Sequence, residues 1–183
     1  MAGAGVAAFI NHFWVHFFIL ISLFAIHSRS DQEDTCVYTV YIKTGSIVKG
    51  GTDSSISLAL YDADGQGIRI KNIEAWGGVM GPDYDYFERG NLDIFTGRGP
   101  CLNGPVCAMN LTSDGTGSHP GWYCKYVEVT STGIHKPCAR KFFSVEQWLA
   151  TDAPPYELTA TRNNCRNKTE IGRFESSPVV SVV

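Results

Sequence analysis

The feature that most constrains this chain is a succession of short alternating runs that turn-forming residues separate. Ser54–Tyr61 reads SSISLALY, in which Ile56, Leu58 and Leu60 fall on one side of the run and smaller residues on the other. A period of two is typical of a strand with one buried face. The chain after residue 30 holds no 3.6-residue period long enough to predict a substantial helix.

Seven further runs predict strands along the rest of the chain. They are Cys36–Thr44, Gly67–Ile73, Asn91–Phe95, Val106–Thr112, Trp122–Thr130, Ala139–Val145 and Tyr156–Arg162. Turn formers concentrate in Gly77–Asp85 and Asp114–Pro120, which are predicted loops. About eight short strands at regular spacing predict an all-β, antiparallel β-sandwich. We expect this domain over residues 36–162, followed by a C-terminal tail over residues 163–183.

The first 28 residues contain no Asp, Glu, Lys or Arg, and Phe13–Ile26 is almost entirely apolar. This run is shorter than the roughly 20 apolar residues of a spanning helix, so it favours a secretory signal peptide over residues 1–30. Ser28 and Ser30 are small residues suited to flank a cleavage site. A retained membrane anchor is the alternative, because the stretch lacks a positively charged start.

The charge of the chain excludes one class of partner. The net charge is −3, and 14 basic against 18 acidic side chains follow residue 30. No run of Lys or Arg forms a basic stripe, so the sequence predicts no nucleic-acid partner. A hydrophobic content of 44% is sufficient for one folded domain with its own core.

All six cysteines follow the predicted leader, and an even number in a secreted chain favours disulfides. Cys101 and Cys107 flank a Gly-Pro turn and form one expected bridge. Cys36 and Cys165 lie at the two ends of the domain and form the other. Cys124, inside a strand-like run, is a candidate buried free thiol.

Two Asn-X-Thr sequons, at Asn110 and Asn167, are candidate glycosylation sites. Asn167 lies in the polar tail and is expected to be the more accessible of the two. The leader and the even number of cysteines together indicate the secretory pathway.

Four collinear segments resemble the PLAT, or lipoxygenase-homology, domain family. They are GTDSSISLALYDADG (51–65), YFERGNLDIF (86–95), HPGWYCKYVEVT (119–130) and FFSVEQWLA (142–150). The resemblance covers residues 36–162 and implies an eight-stranded β-sandwich, in agreement with the strand count. The leader, the cysteines and the closing YELTATRNNC are similar to small plant stress-associated proteins that consist of one such domain. The resemblance implies a role in plant stress response, with residence in the endoplasmic reticulum or in the extracellular space, the plant apoplast.

The ERG turn in the second of these segments raises the question of a reaction centre. Gly90 is expected to adopt a backbone conformation that other residues resist, and Leu92 and Ile94 are expected to point into the core. Glu88 and Arg89 are then interpreted as a pair that fixes the turn or spans two strands.

The sequence predicts a protein that is not an enzyme. Lipoxygenases oxidise fatty acids in a separate large helical domain whose iron is held mainly by histidines, whereas only His119 and His135 follow the leader here. Ser113, Asp114 and His119 match no nucleophile-elbow pattern. An enzyme of unknown type is the least favoured hypothesis.

Eight acidic residues occur from Asp53 to Asp93, at loops that also contain glycine. Ca²⁺ takes six to eight oxygen ligands, mixing carboxylates with backbone carbonyls. Some PLAT domains bind calcium at the corresponding Gly-Thr-Asp turn and at neighbouring loops. The candidate ligands here are Gly51, Thr52, Asp53, Asp62, Asp64 and Asp114. The alternative is that these aspartates only favour solvated turns.

The stretch Glu74–Tyr86 places apolar and aromatic residues in a predicted loop. The candidate lipid-binding residues are Trp76, Val79, Met80, Tyr84 and Tyr86, because amphipathic aromatics prefer the membrane interface. Related domains place Trp-bearing loops against lipid with the help of calcium. The alternative for Trp76 is that it caps the core, where Trp122 and Trp148 are also expected.

The sequence thus predicts a non-catalytic module that binds membrane lipid or a lipid-like ligand, with Ca²⁺ as the candidate cofactor. The alternative is a protein-interaction module that docks a partner, such as a stress or lipid-metabolism protein.

Overall fold

The computed structural model describes residues 34–165 and 179–182, in which nine β-strands and one short helix are present. The strands are β1 (Thr35–Thr44), β2 (Ile56–Tyr61), β3 (Gly67–Ile70), β4 (Leu92–Pro100), β5 (Ala108–Ser113), β6 (Trp122–Gly133), β7 (Lys136–Leu149), β8 (Thr159–Asn163) and β9 (Val179–Val182). The helix, α1, is Ile73–Gly77. The predicted leader and the sequon at Asn167 lie outside the described residues.

Two sheets form the sandwich that the sequence predicts. Their strand orders are β4-β1-β6-β7 and β8-β5-β2-β3-β9. Neighbouring strands are antiparallel, except that β9 pairs in parallel with β3, joining Gly67 to Val179 and Ile70 to Val182. The predicted all-β sandwich is confirmed. The additional strand comes from a part of the chain that was expected to be a tail.

The inner sides of both sheets bury one apolar core. Tyr38, Val40 and Ile42 on β1 and Leu58 and Leu60 on β2 are at most 1% exposed, as the period of two requires. Complete burial of one large apolar side chain contributes about 1.5–3 kcal/mol. The outer side of β2 is covered as well, since Ala59 and Tyr61 pack with Ala108 beneath Cys165 and Val179.

The phase of β4 is opposite to the expected one. Leu92 is 39% exposed and Ile94 is half-buried, whereas Asp93 and Phe95 are fully buried. The Phe95 ring stacks on Phe87, with ring centroids 5.6 Å apart, so aromatic packing sets the register of this strand. Gly90 in the ERG turn has a φ of +79°, which confirms the prediction that it adopts a backbone conformation other residues resist.

The disulfide pairing differs from the expected one, although the same four cysteines are involved. Cys36 bonds to Cys101, and Cys107 bonds to Cys165. The reason is topological: β1 lies beside β4, so Cys36 faces Gly99 and is close to the residue that follows β4. Cys124 is a buried free thiol, and Cys138 is a free and exposed one. Two disulfides indicate a non-cytosolic environment.

One arginine joins the two sheets at their open edge. Arg162 on β8 donates to the Ser144 carbonyl from Nε at 2.9 Å and to the Val145 carbonyl from Nη2. The same Nη2 atom lies 3.0 Å from Gln147 Oε1. These acceptors belong to β7, which is the last strand of the other sheet. Arg162 therefore supplies polar contacts where no backbone ladder runs between the sheets.

Candidate functional site

Three loops meet at the end of the sandwich where β1 stops and where β4 and β6 begin. We call this region the rim and define it as residues 45–55, 78–91 and 114–121. Backbone hydrogen bonds connect the loops, from Thr52 N–H to the Phe87 carbonyl at 3.3 Å and from Asp53 N–H to the His119 carbonyl at 3.3 Å. Hydrogen bonds thus hold the three loops of the rim together, and each loop contributes side chains to it.

Three carboxylates converge on the rim. One oxygen from each of Asp53, Asp85 and Glu88 lies within 4.8 Å of the others, and all three residues are exposed. We call this group the acidic cluster. Calcium–oxygen distances of about 2.4 Å place ligand atoms on opposite sides of the ion about 5 Å apart, so the spacing fits a hard cation.

Hydrogen bonds orient the Asp53 carboxylate. Its Oδ2 atom accepts the backbone N–H of His119 at 3.0 Å and lies 3.0 Å from His119 Nδ1. The adjacent Thr52 is buried, and its hydroxyl donates to the His119 carbonyl at 2.8 Å. The Gly-Thr-Asp turn therefore has a mixed role, in which Thr52 fixes the backbone and Asp53 presents an oxygen.

Cationic side chains lie beside the acidic cluster. Lys49 and Arg89 line a surface depression of about 260 Å³ together with Gly51, Glu88 and His119. Negative charge also extends below the rim to Glu74. Burial raises the pKa of Glu74, and repulsion from Asp93 and Asp85 raises it further. The rim thus combines both signs of charge, with carboxylates at its centre.

The structure divides the six predicted metal ligands. Asp53 is in the acidic cluster, with Gly51 and Thr52 directly before it in the same turn. Asp62 is fully buried, and its carboxylate accepts the N–H groups of Asp64, Gln66 and Gly104. This differs from the expectation of an open ligand, because the Asp62 lone pairs already fix a turn.

Asp114 also accepts hydrogen bonds within its own loop, from Ser55 N–H at 3.1 Å and from Thr116 N–H and Oγ1. Desolvation raises the pKa of Asp114, but the hydrogen bonds together outweigh this effect and hold the pKa below its ordinary value.

Sequence reasoning missed Asp85 and Glu88 as partners of Asp53. The sequence favours an interpretation of Glu88 as one member of a pair with Arg89, and Asp85 is not among the candidate ligands. The density of acids in the segment PDYDYFERGNLD was the available signal. Sequence spacing does not reveal that this segment folds against the Gly-Thr-Asp turn, which lies 32 residues before Asp85 in the chain.

The predicted lipid-binding residues are also divided. Val79 is 50% exposed and Met80 is 37% exposed. Tyr86 is buried, and its hydroxyl accepts the Met80 N–H at 2.9 Å. Trp76 is half-buried, with its ring packed directly on the backbone of Gly97. Val79 and Met80 therefore form the apolar tip of the loop, while Tyr86 supports it from inside.

Asp93 is a buried acid beneath this loop. Its Oδ2 atom accepts the Phe87 N–H at 3.0 Å, and its Oδ1 atom has no hydrogen-bond partner within the described ranges. Burial raises the pKa of Asp93, and the Phe87 N–H, the Tyr84 hydroxyl and Lys43 offset only part of that effect. Burial and the proximity of Asp93 raise the pKa of Tyr84 to about 12.

Two further features bear on function. The outer side of the four-stranded sheet exposes apolar residues, including Val37 at 37% and Phe142 at 50%, and the Phe142 ring contacts Tyr126. The candidate sequon residue Asn110 is half-buried within β5. Within residues 34–165 and 179–182, no helix has the length and hydropathy needed to cross a bilayer.

Known proteins with similar sequences share this domain. The chain is 59% identical over 149 residues to PLAT domain-containing protein 1 of Arabidopsis thaliana, covering 81% of this chain and 82% of the relative. It is 64% identical over 104 residues to PLAT domain-containing protein 3 of Arabidopsis thaliana, covering 56% of this chain and all of the relative.

Solved lipoxygenase structures share the fold. The coral 8R-lipoxygenase, described with calcium activation through a C2-like domain, superposes with a TM-score of 0.52 at 18% identity. That match covers 76% of this chain but only 19% of the lipoxygenase. The profile of the PLAT/LH2 domain matches residues 38–162, which is most of the sandwich. The chain therefore belongs to the PLAT/LH2 domain family.

Proposed function

We propose that this protein is a non-catalytic module of the secretory pathway that binds membrane lipid through its rim with the help of calcium. The observation that carries the proposal is the convergence of Asp53, Asp85 and Glu88 on one side of the rim. Calcium bound there would be held by carboxylate oxygens and would neutralise charge that otherwise repels anionic headgroups.

The apolar tip supplies the second part of the proposed contact. Val79 and Met80 belong to the same loop as Asp85 and Glu88, so both parts of the contact are carried by one segment. Exposed apolar side chains that enter the interfacial region contribute through the area they remove from water. The coral lipoxygenase, of which one part shares this fold, is described with calcium activation through a C2-like domain, and this supports a calcium-dependent role for the rim.

Vesicle flotation tests this proposal. The protein, secreted from a eukaryotic host, would be mixed with phosphatidylcholine vesicles containing phosphatidylserine, in calcium or in EDTA. We expect flotation with calcium and little without it. The double variants Asp53→Asn/Glu88→Gln and Val79→Ser/Met80→Ser should both lose it.

Two matched controls keep the result specific. Asp34→Asn removes an exposed acid directly before β1, outside the rim, and Ile134→Ser removes an apolar side chain, 91% exposed, from the hairpin between β6 and β7. Both should float like the parent. Equal flotation of the parent in calcium and EDTA, or of the acidic-cluster variant and the parent, would contradict the calcium-assisted mechanism.

Docking of a partner protein is the alternative function, and the exposed apolar outer side of the β4-β1-β6-β7 sheet favours it. Absence of flotation under every condition, together with loss of a co-purifying protein in a Phe142→Ser variant, would support docking over lipid binding.

We also propose residence in the endoplasmic reticulum or the apoplast and a role in plant stress response, which the resemblance to small plant proteins of this family implies. A line that lacks the protein should then tolerate salt or drought less well than its parent.

A further inference from the structure

An apolar cavity of about 220 Å³ lies at the end of the sandwich opposite to the rim. It is located where β1 begins, where β4 and β6 end, and beside the first residues of β7. Leu102, Val106, Pro137 and Ala139 contribute to its wall, and the Cys36–Cys101 bridge borders it. The strands separate it from the acidic cluster, so it is a second concave feature with its own residues.

One wall of the cavity is a loop that is fastened at several points. This loop, residues 101–107, begins at a half-cystine bonded to Cys36 and ends at one bonded to Cys165. The Tyr38 hydroxyl accepts the Leu102 N–H at 3.3 Å and donates to the Pro100 carbonyl at 2.8 Å. Asp62 Oδ2 accepts the Gly104 N–H at 3.2 Å. The wall is therefore ordered before any ligand arrives, which reduces the entropy cost of binding.

The lining shows which chemistry the cavity would accept. Among the described residues that line it, Lys136 is the one cation, and none is acidic. The Lys136 ammonium has one long hydrogen bond, 3.5 Å to the Asn103 carbonyl, so it keeps donors for another acceptor. The remaining lining is largely apolar. The lining thus matches a ligand with an apolar body and one anionic group.

The volume limits the size of that ligand. An apolar protein cavity of about 150 Å³ accepts a molecule the size of benzene. A cavity of about 220 Å³ therefore has room for a ring with a short side chain, or for an alkyl chain of similar volume, but not for a complete membrane lipid.

We infer that this cavity is a binding site for a small amphipathic monocarboxylate, whose apolar body lies against Leu102, Val106 and Ala139 and whose carboxylate pairs with Lys136. The site is independent of the proposed lipid-binding rim, because it shares no residue with the acidic cluster.

Titration calorimetry of the secreted protein in EDTA tests this site. Octanoate and 3-phenylpropanoate would serve as aliphatic and aromatic carboxylates, with octylammonium as a cationic probe of matched length. Saturable binding of either carboxylate at one site is expected, with octylammonium at least about tenfold weaker, since a hydrogen bond to a charged group is lost and a repulsion is gained.

Two variants locate the binding. Lys136→Gln should weaken carboxylate binding by about tenfold, and Ala139→Phe should abolish it by filling the cavity. The matched control Lys125→Gln removes an exposed cation from the opposite end of β6 and should bind like the parent. Melting temperatures identify a variant that fails to fold. Absence of saturable binding to the parent, or unchanged affinity in Lys136→Gln, overturns the inference.

Discussion

The carboxylate of Asp62, which follows β2, holds the backbone of Gly104 in a different loop, with 3.2 Å between Oδ2 and the amide nitrogen. The same carboxylate accepts Asp64 N–H at 2.9 Å and Gln66 N–H at 3.0 Å through Oδ1. Three N–H groups converge on one buried acid, so Asp62 organises backbone at two places. A carboxylate forms stronger hydrogen bonds with these N–H groups than a neutral acceptor would.

We predict that Asp62→Asn lowers the free energy of unfolding by about 1–3 kcal/mol, because an amide presents donors where N–H groups already point. Urea unfolding followed by fluorescence measures this. The exposed Asp83→Asn serves as a control and should unfold like the parent. If calcium raises the melting temperature of the parent, Asp62→Asn should retain that increase, whereas Asp53→Asn should lose it.

Asp93 should make the protein less stable at neutral pH than at mildly acidic pH. Its pKa in the folded state lies above the ordinary value of 3.8, so its contribution to stability is complete below that pH. The contribution is lost as the pH rises through the folded-state pKa. We expect Asp93→Asn to raise the free energy of unfolding by about 1 kcal/mol at pH 7, since the buried charge is removed.

The difference in the free energy of unfolding between Asp93→Asn and the parent should become smaller as the pH falls towards 4. Urea unfolding of both proteins at several pH values measures the difference. A constant difference across this range would mean that Asp93 does not titrate as its burial requires. Asp83→Asn again serves as the exposed control.

Arg162→Met should destabilise the sandwich by about 2–3 kcal/mol, because the carbonyls of Ser144 and Val145 lose a charged donor. Arg140→Met is the matched control, since Arg140 lies on β7 and pairs with Glu128 at the protein surface. Surface pairs contribute little, so the control should change unfolding much less. If the two variants lowered the free energy of unfolding equally, the contact between the sheets would contribute no more to stability than a surface ion pair.

Peptide mapping under non-reducing conditions should find Cys36–Cys101 and Cys107–Cys165, with Cys124 and Cys138 unpaired. Replacing Cys107 and Cys165 by serine should reduce stability by about 3–4 kcal/mol, since their bridge spans 58 residues of chain. Replacement of the free Cys138 by serine is the control and should leave unfolding unchanged. A bridge between Cys101 and Cys107 would contradict the fold at this end.

The sandwich was predictable because its signals are local. Alternation in β2 placed Ile56, Leu58 and Leu60 inside, and the structure confirms it. An alternating strand can bury either of its two faces, however. In β4 the neighbouring sequence does not reveal that Phe95 stacks on Phe87 and that Asp93 is buried with it. The choice between phases depends on which side chains the neighbouring loop contributes to the core.

The pairing of the four cysteines and the grouping of Asp53 with Asp85 and Glu88 could not be predicted, for a related reason. Both depend on which strands become neighbours, and neither strand order nor loop contacts are encoded in spacing. Asp53 is a predicted ligand, whereas Asp85 and Glu88 lie beside it in the folded protein, where the Thr52 N–H donates to the Phe87 carbonyl. Val179–Val182 joined a sheet because β3 had an open edge.

The contact between Arg162 and β7 also limits which backbone carbonyls the free edge of β7 presents to other molecules. Exposed carbonyls on an outermost strand are sites at which a foreign chain adds itself and seeds fibrils. Here the Arg162 guanidinium already donates hydrogen bonds to the carbonyls of Ser144 and Val145. The Arg162 contacts therefore protect this part of the edge against polymerisation, and loss of Arg162 should increase the tendency of the protein to form insoluble material.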